Sequence, residues 1–390
     1  MLTDASISES FIAKLVGFPT VSQDSNLDLI SFVEACLTAS GVASTRVPDR
    51  AGGKASLFAT IGPNVPGGVV LSGHSDVVPA AGQAWTSDPF TLTRRADRLY
   101  ARGTTDMKSF VAIGLSLLPE MLAAGLKRPI HLALSYDEEI GCLGAPDMIA
   151  RMLEVIAPPS AVIVGEPTGM AVVTGHKGVL KLNTRVRGKS VHSSVVDQGI
   201  SAVAIAARLA VWLDDRMGRN RDHGLQDMRF SPSYTTLHSG IIEGGTAFNI
   251  TAGNAIVVSD IRTLPGETSS EYLAEYTAYA ETLAAAMRGV DRAAGIDITV
   301  ECDVPGCRRE PDGGAEALAR RLSDDAAPQT GDAVVAYGTE AGQFQAAGLS
   351  TVVCGPGNMD QGHKPDEYIE LSQIRAGEAF QRRLIAELSA

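Results

Sequence analysis

The segment VVLSGHSDVVP at residues 69–79 decides the fold, because an almost continuous apolar run ends in a histidine and an aspartate. Three further segments share this design, a short apolar run followed by acids or a glycine-rich turn. They are residues 130–139, 161–166 and 351–357. Such runs are typical of strands buried on both faces, with helices between them. The pattern predicts an α/β domain whose polar side chains gather beyond the carboxyl ends of the strands.

The pattern changes near Val179, where LKLNTRVRGK alternates apolar and polar residues like a half-exposed strand. Up to about residue 304 the segments then follow the order strand, helix, strand, strand, helix, strand, which is typical of a small split βαβ domain. The C-terminal part returns to helix and buried strand. We therefore predict one domain formed by residues 1–178 and 305–390, with an α+β domain of residues 179–304 inserted into it.

The composition excludes several classes of protein. A formal net charge of −12 over 390 residues argues against nucleic acid as the main partner, since phosphate binding needs a basic surface. The longest apolar stretch, residues 202–213, is interrupted by Arg208 and is too short to span a membrane. The polar N-terminus has no signal pattern, and the 5 cysteines are scattered without a C-x-x-C pair. We therefore expect a cytoplasmic protein with reduced thiols.

Two histidines and several acids follow predicted strands or open a predicted helix, where the sheet would bring them to one edge. They are His74, Asp106, Glu138, Glu139, Glu166 and His363. Taken singly, a strand-end histidine is more often structural and an acid is more often solvated. As a set, they suit two divalent ions that share one carboxylate and hold a water. Asp76, two residues beyond His74, is placed to accept the other ring N–H of that histidine.

Five motifs in order, SGHSDVVP, ARGTTDMKS, DEEIG, GEPT and GHKPDEY, carry a family resemblance. They resemble the di-zinc amidohydrolase family that contains acetylornithine deacetylase, succinyl-diaminopimelate desuccinylase, aminoacylase and glutamate carboxypeptidase. The resemblance covers essentially the whole chain. It implies a di-zinc exopeptidase-like catalytic domain with an inserted ferredoxin-like domain that serves as lid or dimerisation domain. It also implies two bound zinc ions, with cobalt as the alternative.

The resemblance implies a role for each motif residue. Asp106 would bridge the two ions, with His74 and Glu166 on one ion and Glu139 and His363 on the other. Glu138 would be the general base, Asp76 would be catalytic through His74, and the peptide between Asp106 and Met107 would be cis. His192 of the inserted domain would stabilise the oxyanion. In relatives this histidine reaches the active site of the partner subunit, which implies a homodimer formed through the lid.

The substrate carboxylate is expected at two positions of the inserted domain, Asn249 in GGTAFN and Arg262 in SDIRTLPG. A guanidinium matches a carboxylate in a two-pronged geometry. The alternative for Arg262 is an ion pair with Asp260 or Glu267 on the surface. The segment after His192 departs from relatives, which commonly have proline where this chain has Val195 and Val196.

Further substrate contacts are expected in the C-terminal part. Gly355 and Gly357 in CGPGN permit close approach and are expected to offer backbone N–H donors. Selection of an ornithine side chain needs a negative group at the far end of the pocket. Glu340 in GTEAGQF is the predicted group, and Asp360 is the second choice.

Within the family, VTGHKG, SDIRTLPG, GTEAGQF and CGPGN look most like the acetylornithine deacetylase branch. The resemblance therefore implies hydrolysis of N-acetylornithine to ornithine and acetate, a step suited to arginine biosynthesis. Alternative substrates are acetylcitrulline and succinyl-diaminopimelate, and alternative activities are a di-metal dipeptidase or carboxypeptidase. A phosphoesterase is disfavoured, since no basic cluster accompanies the motifs. An inactive ligand-binding paralogue is the non-enzyme alternative, although all the ligands and the base are present.

Overall fold

A computed structural model describes residues 7–323 and 333–390. The chain divides into two compact units, which we call the first and the second unit. The first unit is formed by Met1–Gly175, Arg309–Ala333 and Thr339–Ala390, and the second by His176–Arg308 and Val334–Gly338. Every predicted metal ligand lies in the first unit. The assignment of catalytic and lid roles to the two units stays a prediction.

The predicted alternation of strands and helices is confirmed. The helices are α1 (Ile7–Val16), α2 (Leu27–Ala39), α3 (Lys108–Ser116), α4 (Leu118–Ala123), α5 (Ala145–Val155), α6 (Ala202–His223), α7 (Ser269–Arg288), α8 (Gly314–Leu322), α9 (Ala341–Ala346) and α10 (Leu371–Ser389). The strands are β1 (Ser44–Pro48), β2 (Ala55–Ile61), β3 (Val69–His74), β4 (Thr93–Arg95), β5 (Arg98–Tyr100), β6 (Ile130–Ser135), β7 (Ala161–Pro167), β8 (Val173–His176), β9 (Val179–Arg187), β10 (Thr236–Gly244), β11 (Asn254–Arg262), β12 (Gly295–Val304), β13 (Ala333–Val335), β14 (Thr351–Gly355) and β15 (Tyr368–Glu370).

The main sheet has the strand order β1-β2-β6-β3-β7-β14-β8-β13. Its centre is parallel, because β3 runs parallel to β6 and β7, and β7 runs parallel to β14. Every residue of β3, β7 and β14 is buried, as their continuous apolar runs predict. Helices α1, α2, α3, α8 and α10 contribute side chains to the same core as these strands. The carboxyl ends of neighbouring parallel strands therefore lie at one edge of the sheet.

The second unit contains a four-stranded antiparallel sheet in the order β10-β11-β9-β12. In β9 and β11 buried residues alternate with more exposed ones, and the buried side chains pack with α6 and α7. Its core includes Leu182, Leu209, Val257 and Tyr276. The chain order β9, α6, β10, β11, α7, β12 is the split βαβ pattern predicted for this segment.

Membrane insertion was not expected from the sequence. Among the helices in the described part of the chain, none is long and apolar enough to cross a bilayer.

Candidate metal centre

The five predicted ligands and the predicted base lie together at one edge of the main sheet, in the first unit. His74 is the last residue of β3, and Glu166 lies near the end of β7. Glu138 and Glu139 follow β6, Asp106 precedes α3, and His363 follows the short helical turn Met359–Gln361. The peptide between Asp106 and Met107 is cis, as the resemblance implies.

The side-chain atoms fall into two sets that share Asp106. In the first set, His74 Nε2 lies 3.1 Å from Asp106 Oδ1 and 3.6 Å from Glu166 Oε1. In the second set, His363 Nε2 lies 3.2 Å from Asp106 Oδ2 and 2.9 Å from Glu139 Oε2. Each oxygen of Asp106 therefore faces a different histidine. Two cation sites that share one carboxylate would need such an arrangement.

The protonation of His74 also points to a cation. Its Nδ1 lies 2.9 Å from the backbone carbonyl oxygen of Asp76, which can only accept a hydrogen bond, so Nδ1 carries the proton. In a neutral imidazole Nε2 then presents a lone pair, and this lone pair faces two carboxylate oxygens. Acceptors repel one another unless a cation or a proton lies between them. A proton or a divalent ion bound to Nε2 would remove this repulsion.

The carboxylates of the centre fit the same interpretation. Glu139 Oε1 and Glu166 Oε1 are buried and have no hydrogen-bond partner in the described structure. Burial raises the pKa of Glu138 to about 8 and that of Glu139 to about 7, and it also raises the pKa of Glu166. Hydrogen bonds to Asp106 and Glu139 raise the pKa of His363 to about 10. Divalent cations would supply the positive charge that these buried acids lack.

The donor set favours zinc-type ions over calcium or magnesium. The described residues offer imidazole and carboxylate ligands in two groups, His74 with Asp106 and Glu139, and His74 with Glu138 and Glu166. Borderline ions such as zinc accept this combination, whereas calcium and magnesium prefer oxygen alone. Because Glu138 belongs to the second group, the distances alone allow it to act as base or as ligand.

Asp76 has a wider role than the sequence predicts. Its carboxylate lies 3.5 Å from His74 Nδ1, farther than its own backbone carbonyl. The carboxylate instead accepts hydrogen bonds from the backbone N–H groups of Glu138 at 3.0 Å and Glu139 at 3.2 Å, and from Ser22 Oγ at 2.7 Å. Asp76 thus fixes the loop that carries the base and one ligand, while its carbonyl sets the tautomer of His74.

Glu138 has a second contact that sequence reasoning missed. The buried thiol of Cys142 donates a hydrogen bond to Glu138 Oε1 at 3.3 Å. Asp137, in the same loop, adopts a positive φ of 53° and forms an ion pair with Lys54 at 2.6 Å. The charge of Asp137 and the four-residue spacing of Cys142 were visible in the sequence, but neither indicated a partner.

The prediction for Glu340 needs correction. Its side chain is 1% exposed, and its two carboxylate oxygens accept hydrogen bonds from Ser72 Oγ at 2.5 Å and Ser135 Oγ at 2.8 Å. A carboxylate enclosed in this way cannot meet a substrate side chain without breaking both bonds. Glu340 therefore holds the ends of β3 and β6 together. Asp360, the second choice, is exposed in the helical turn before His363.

The backbone donors expected at Gly355 and Gly357 are already used. The N–H of Gly355 donates to Thr168 Oγ1 at 3.2 Å, and the N–H of Gly357 donates to Gln373 Oε1 at 3.1 Å. A Cβ at Gly355 would lie 2.0 Å from the carbonyl oxygen of Gly165. Glycine is thus needed there because β14 and β7 approach closely, and the prediction of free substrate donors is wrong for this structure.

Three predicted residues lie in the second unit. His192 is exposed, and its Nδ1 accepts a hydrogen bond from the Ser194 N–H at 3.2 Å. Asn249 is its neighbour, because the Asn249 carbonyl accepts from the Ser193 N–H at 2.9 Å. Arg262 forms a two-pronged ion pair with Asp260, with Nε and Nη2 within 2.9 Å of its carboxylate. The structure thus contains the surface ion pair predicted as the alternative for Arg262.

Two buried charged residues beside the centre were not singled out from the sequence. Arg102 and Glu367 form an ion pair of 2.7 Å and are each 1% exposed. Both lie inside the quoted motifs ARGTTDMKS and GHKPDEY. Their burial was the missing signal, because a charged residue in a motif reads equally well as solvated surface.

Comparison with known proteins supports this description. Residues 70–387 match the model of peptidase family M20/M25/M40. An acetylornithine deacetylase of Photorhabdus laumondii is 32% identical over 369 residues, which cover 93% of this chain and 92% of that protein. An M20 metallo-carboxypeptidase from Sulfolobus solfataricus has a similar fold, with a TM-score of 0.77 at 16% identity and 99% of both chains covered. A protein of Bacillus subtilis, described as a dinuclear metal-binding M20 peptidase, has a TM-score of 0.61 at 14% identity, covering 97% of this chain and 99% of that one.

Proposed function

The chain belongs to peptidase family M20/M25/M40 and is a metal-dependent amidohydrolase, and we propose that it removes the acetyl group from N-acetylornithine. The observation that carries the proposal is the pair of ligand sets sharing Asp106. The acetyl-amino-acid substrate is supported by the similarity over nearly the full chain to acetylornithine deacetylases. The product, free ornithine, would enter arginine biosynthesis in the cytoplasm.

We propose two zinc ions, with cobalt as a working substitute. His74 and Glu166 would hold one ion, Glu139 and His363 the other, and Asp106 would bridge them. Support comes from the buried oxygens of Glu139 and Glu166 that have no partner in the described structure. When bound, two such ions make a water acidic near neutral pH and polarise the amide carbonyl.

Glu138 is the proposed general base. It takes a proton from the attacking water and returns it to the nitrogen of the leaving amino acid. Its backbone N–H is held by Asp76 and its carboxylate by the Cys142 thiol, so the side chain has a fixed position from which to act. A positioned base of this kind contributes typically about 10²–10⁴-fold to the rate.

His192 and Asn249 are the proposed substrate-side groups of the second unit. His192 would donate a hydrogen bond to the oxyanion, and Asn249 would bind the α-carboxylate. Support comes from the hydrogen bond that joins their segments and from the exposure of His192. Arg262 would join them only after exchanging its partner Asp260 for the substrate.

A homodimer through the second unit is part of the proposal. The edge strand β10 exposes Ile241 and Ile242 at 48% and 49%, and Phe248 nearby is 99% exposed. Edge strands with apolar side chains invite pairing with another chain. In such a dimer His192 of one subunit would serve the metal centre of its partner.

A hydrolysis panel tests this function. Protein dialysed against zinc is expected to hold close to two ions per chain and to lose activity to a chelator. Among N-acetylornithine, N-acetylcitrulline, N-acetylmethionine, succinyl-diaminopimelate and dipeptides, N-acetylornithine is expected to have the highest kcat/KM. Preference for another member would leave the metal chemistry standing and overturn the substrate. A metal content near zero, with activity indifferent to chelator, would overturn the metal centre itself.

A further inference from the structure

Glu367 is a buried residue whose carboxylate accepts hydrogen bonds from the backbone at Asp106, the proposed bridging ligand. One oxygen, Oε1, accepts hydrogen bonds from the backbone N–H groups of Thr105 at 2.8 Å and Asp106 at 3.1 Å. The other oxygen, Oε2, accepts from Arg102 Nη1 at 2.7 Å. Glu367 itself is 1% exposed. These three contacts of the carboxylate are made inside the first unit, next to the metal centre.

Arg102 extends these contacts toward the second histidine ligand. Its guanidinium is buried and lies over the ring of Trp85, 5.1 Å from the ring centroid. Its Nη2 donates to Gln83 Oε1 at 2.6 Å, and Gln83 Nε2 donates to the backbone carbonyl of His363 at 3.0 Å. Glu367, Arg102 and Gln83 thus connect the backbone of Asp106 with the backbone of His363.

These two ligands need external support, because neither lies in a helix or a strand. Asp106 is in the turn before α3, and His363 adopts a positive φ of 61°. An irregular segment has no ladder of hydrogen bonds to fix where its side chains point. A buried carboxylate that accepts two consecutive N–H groups supplies that constraint, and charge-assisted bonds of this kind are the stronger ones.

A net gain in folding stability does not by itself explain an ion pair that is so deeply buried. Removing two charges from water costs free energy that their attraction only partly recovers, and apolar residues of similar size often stabilise as well or better. The position of this pair, directly against the backbone of a shared ligand, favours a role in the geometry of the site.

We propose that Glu367 is a positioning residue that holds Asp106 in the orientation needed to bridge two ions, with Arg102 as its counter-charge and Gln83 as the link to His363. The inference rests on the proposed function in so far as it assumes that the centre binds metal. It does not depend on which acyl-amino acid is cleaved.

The test measures metal binding directly. Glu367→Ala removes both acceptors, and its affinity for Co²⁺, measured by competition with a chelator, is expected to fall 10–100-fold, the usual effect of losing a partner of a metal ligand. The visible absorption of bound Co²⁺ should change as well, because it reports ligand geometry. Zinc stoichiometry after dialysis provides a second readout.

Two matched controls separate positioning from general stability. Glu370→Ala removes an acid three residues away, whose ion pair with Arg98 is half-exposed, and should leave Co²⁺ affinity unchanged. Leu384→Ala removes a buried side chain of α10 and should lower thermal stability without changing Co²⁺ affinity or absorption. Wild-type affinity in folded Glu367→Ala, or an equal loss of affinity in Leu384→Ala, would overturn the proposal.

A milder variant covers the case in which Glu367→Ala does not fold. Gln83→Ala breaks the link to His363 without leaving a buried charge unpaired, and a several-fold weaker affinity for Co²⁺ is expected; an unchanged affinity would then overturn the proposal. The proposed function fails separately. Wild-type protein that binds two Co²⁺ ions but does not cleave N-acetylornithine would refute the substrate and leave this inference intact.

Discussion

The metal centre of the first unit and the His192 segment of the second unit are built in opposite ways. In the first unit His74 is fully buried, and the loops that carry the acids are held by hydrogen bonds to Asp76 and Glu367. In the second unit His192 is exposed, and Phe248 close by is 99% exposed. The difference teaches that the proposed ion ligands are fixed by contacts within their own unit, while the groups proposed to bind substrate are exposed on theirs.

Physical chemistry accounts for this contrast. Clustered carboxylates repel one another and lose solvation when buried, so their positions persist only where neighbouring groups fix the backbone. Asp76 and Glu367 do this in the same way, each accepting from two consecutive backbone N–H groups. A group that binds substrate must be reachable beforehand, and the exposed side chain of His192, outside the named strands, meets that condition.

The largest effect is expected for Glu138→Gln, which tests whether Glu138 of the first unit acts as the general base and not as a metal ligand. Because the amide cannot accept a proton, kcat should fall by about 10²–10⁴ while two ions remain bound. Glu139→Gln is the matched control, since it changes the neighbouring carboxylate and should lose one ion as well as activity. Metal analysis and steady-state kinetics of both variants make the measurement. Loss of an ion from Glu138→Gln would show that Glu138 is a ligand and would exchange the two roles.

A somewhat smaller effect is expected for His192→Ala, which tests whether the exposed segment of the second unit takes part in catalysis. Removal of one oxyanion donor should lower kcat by about 10²–10³, with metal content unchanged. The exposed His223 at the C-terminal end of α6 of the same unit provides the control, and His223→Ala should keep wild-type kcat.

Co-expression of His192→Ala with Glu138→Gln asks which subunit His192 serves. In a mixed dimer, one metal centre would have an intact Glu138 from its own chain and an intact His192 from the partner. Activity above that of either variant alone is therefore expected. If the mixed dimer stays inactive, His192 acts within its own chain or not at all, and the contrast between the two units loses its functional meaning.

Sequence alone predicts some residues of the two units and misses others. Buried parallel strands place their last residues at one edge, so His74 and Glu166 could be located from apolar runs alone. The contacts of Glu340 could not be predicted in this way. Its carboxylate binds Ser72 and Ser135, which are 268 and 205 residues away in the chain, and a motif does not show whether an acid faces such partners or a cleft. For Arg262 the sequence left open a substrate carboxylate or an ion pair, and the structure contains the ion pair with Asp260 two residues away. Its contact with substrate stays a prediction. Glu367 was not singled out because the sequence shows neither its burial nor the two backbone N–H groups that it accepts from.

The smallest effect is expected in the pH dependence of the free energy of unfolding. One buried histidine in each unit allows the two units to be compared. Burial lowers the pKa of His131 in β6 and of His176 at the end of β8 to about 4. The unfolded chain has the ordinary value of about 6.5, so between these two values the unfolded state binds more protons. Stability is therefore full above pH 6.5 and is lost as the pH falls from 6.5 to 4. Each group accounts for at most about 3 kcal/mol of that loss.

His131→Gln should remove this pH dependence from the first unit while the second unit keeps its own. The chain's 2 tryptophans allow separate measurement, because Trp85 lies in the first unit and Trp212 in the second. Denaturant unfolding between pH 4.5 and 7 would be followed in Trp212→Phe protein, which reports the first unit, and in Trp85→Phe protein, which reports the second. A flatter pH profile is expected only at Trp85. An equal flattening at both tryptophans would mean that the two units unfold as one cooperative body, so the contrast between them would hold for the sites and not for stability.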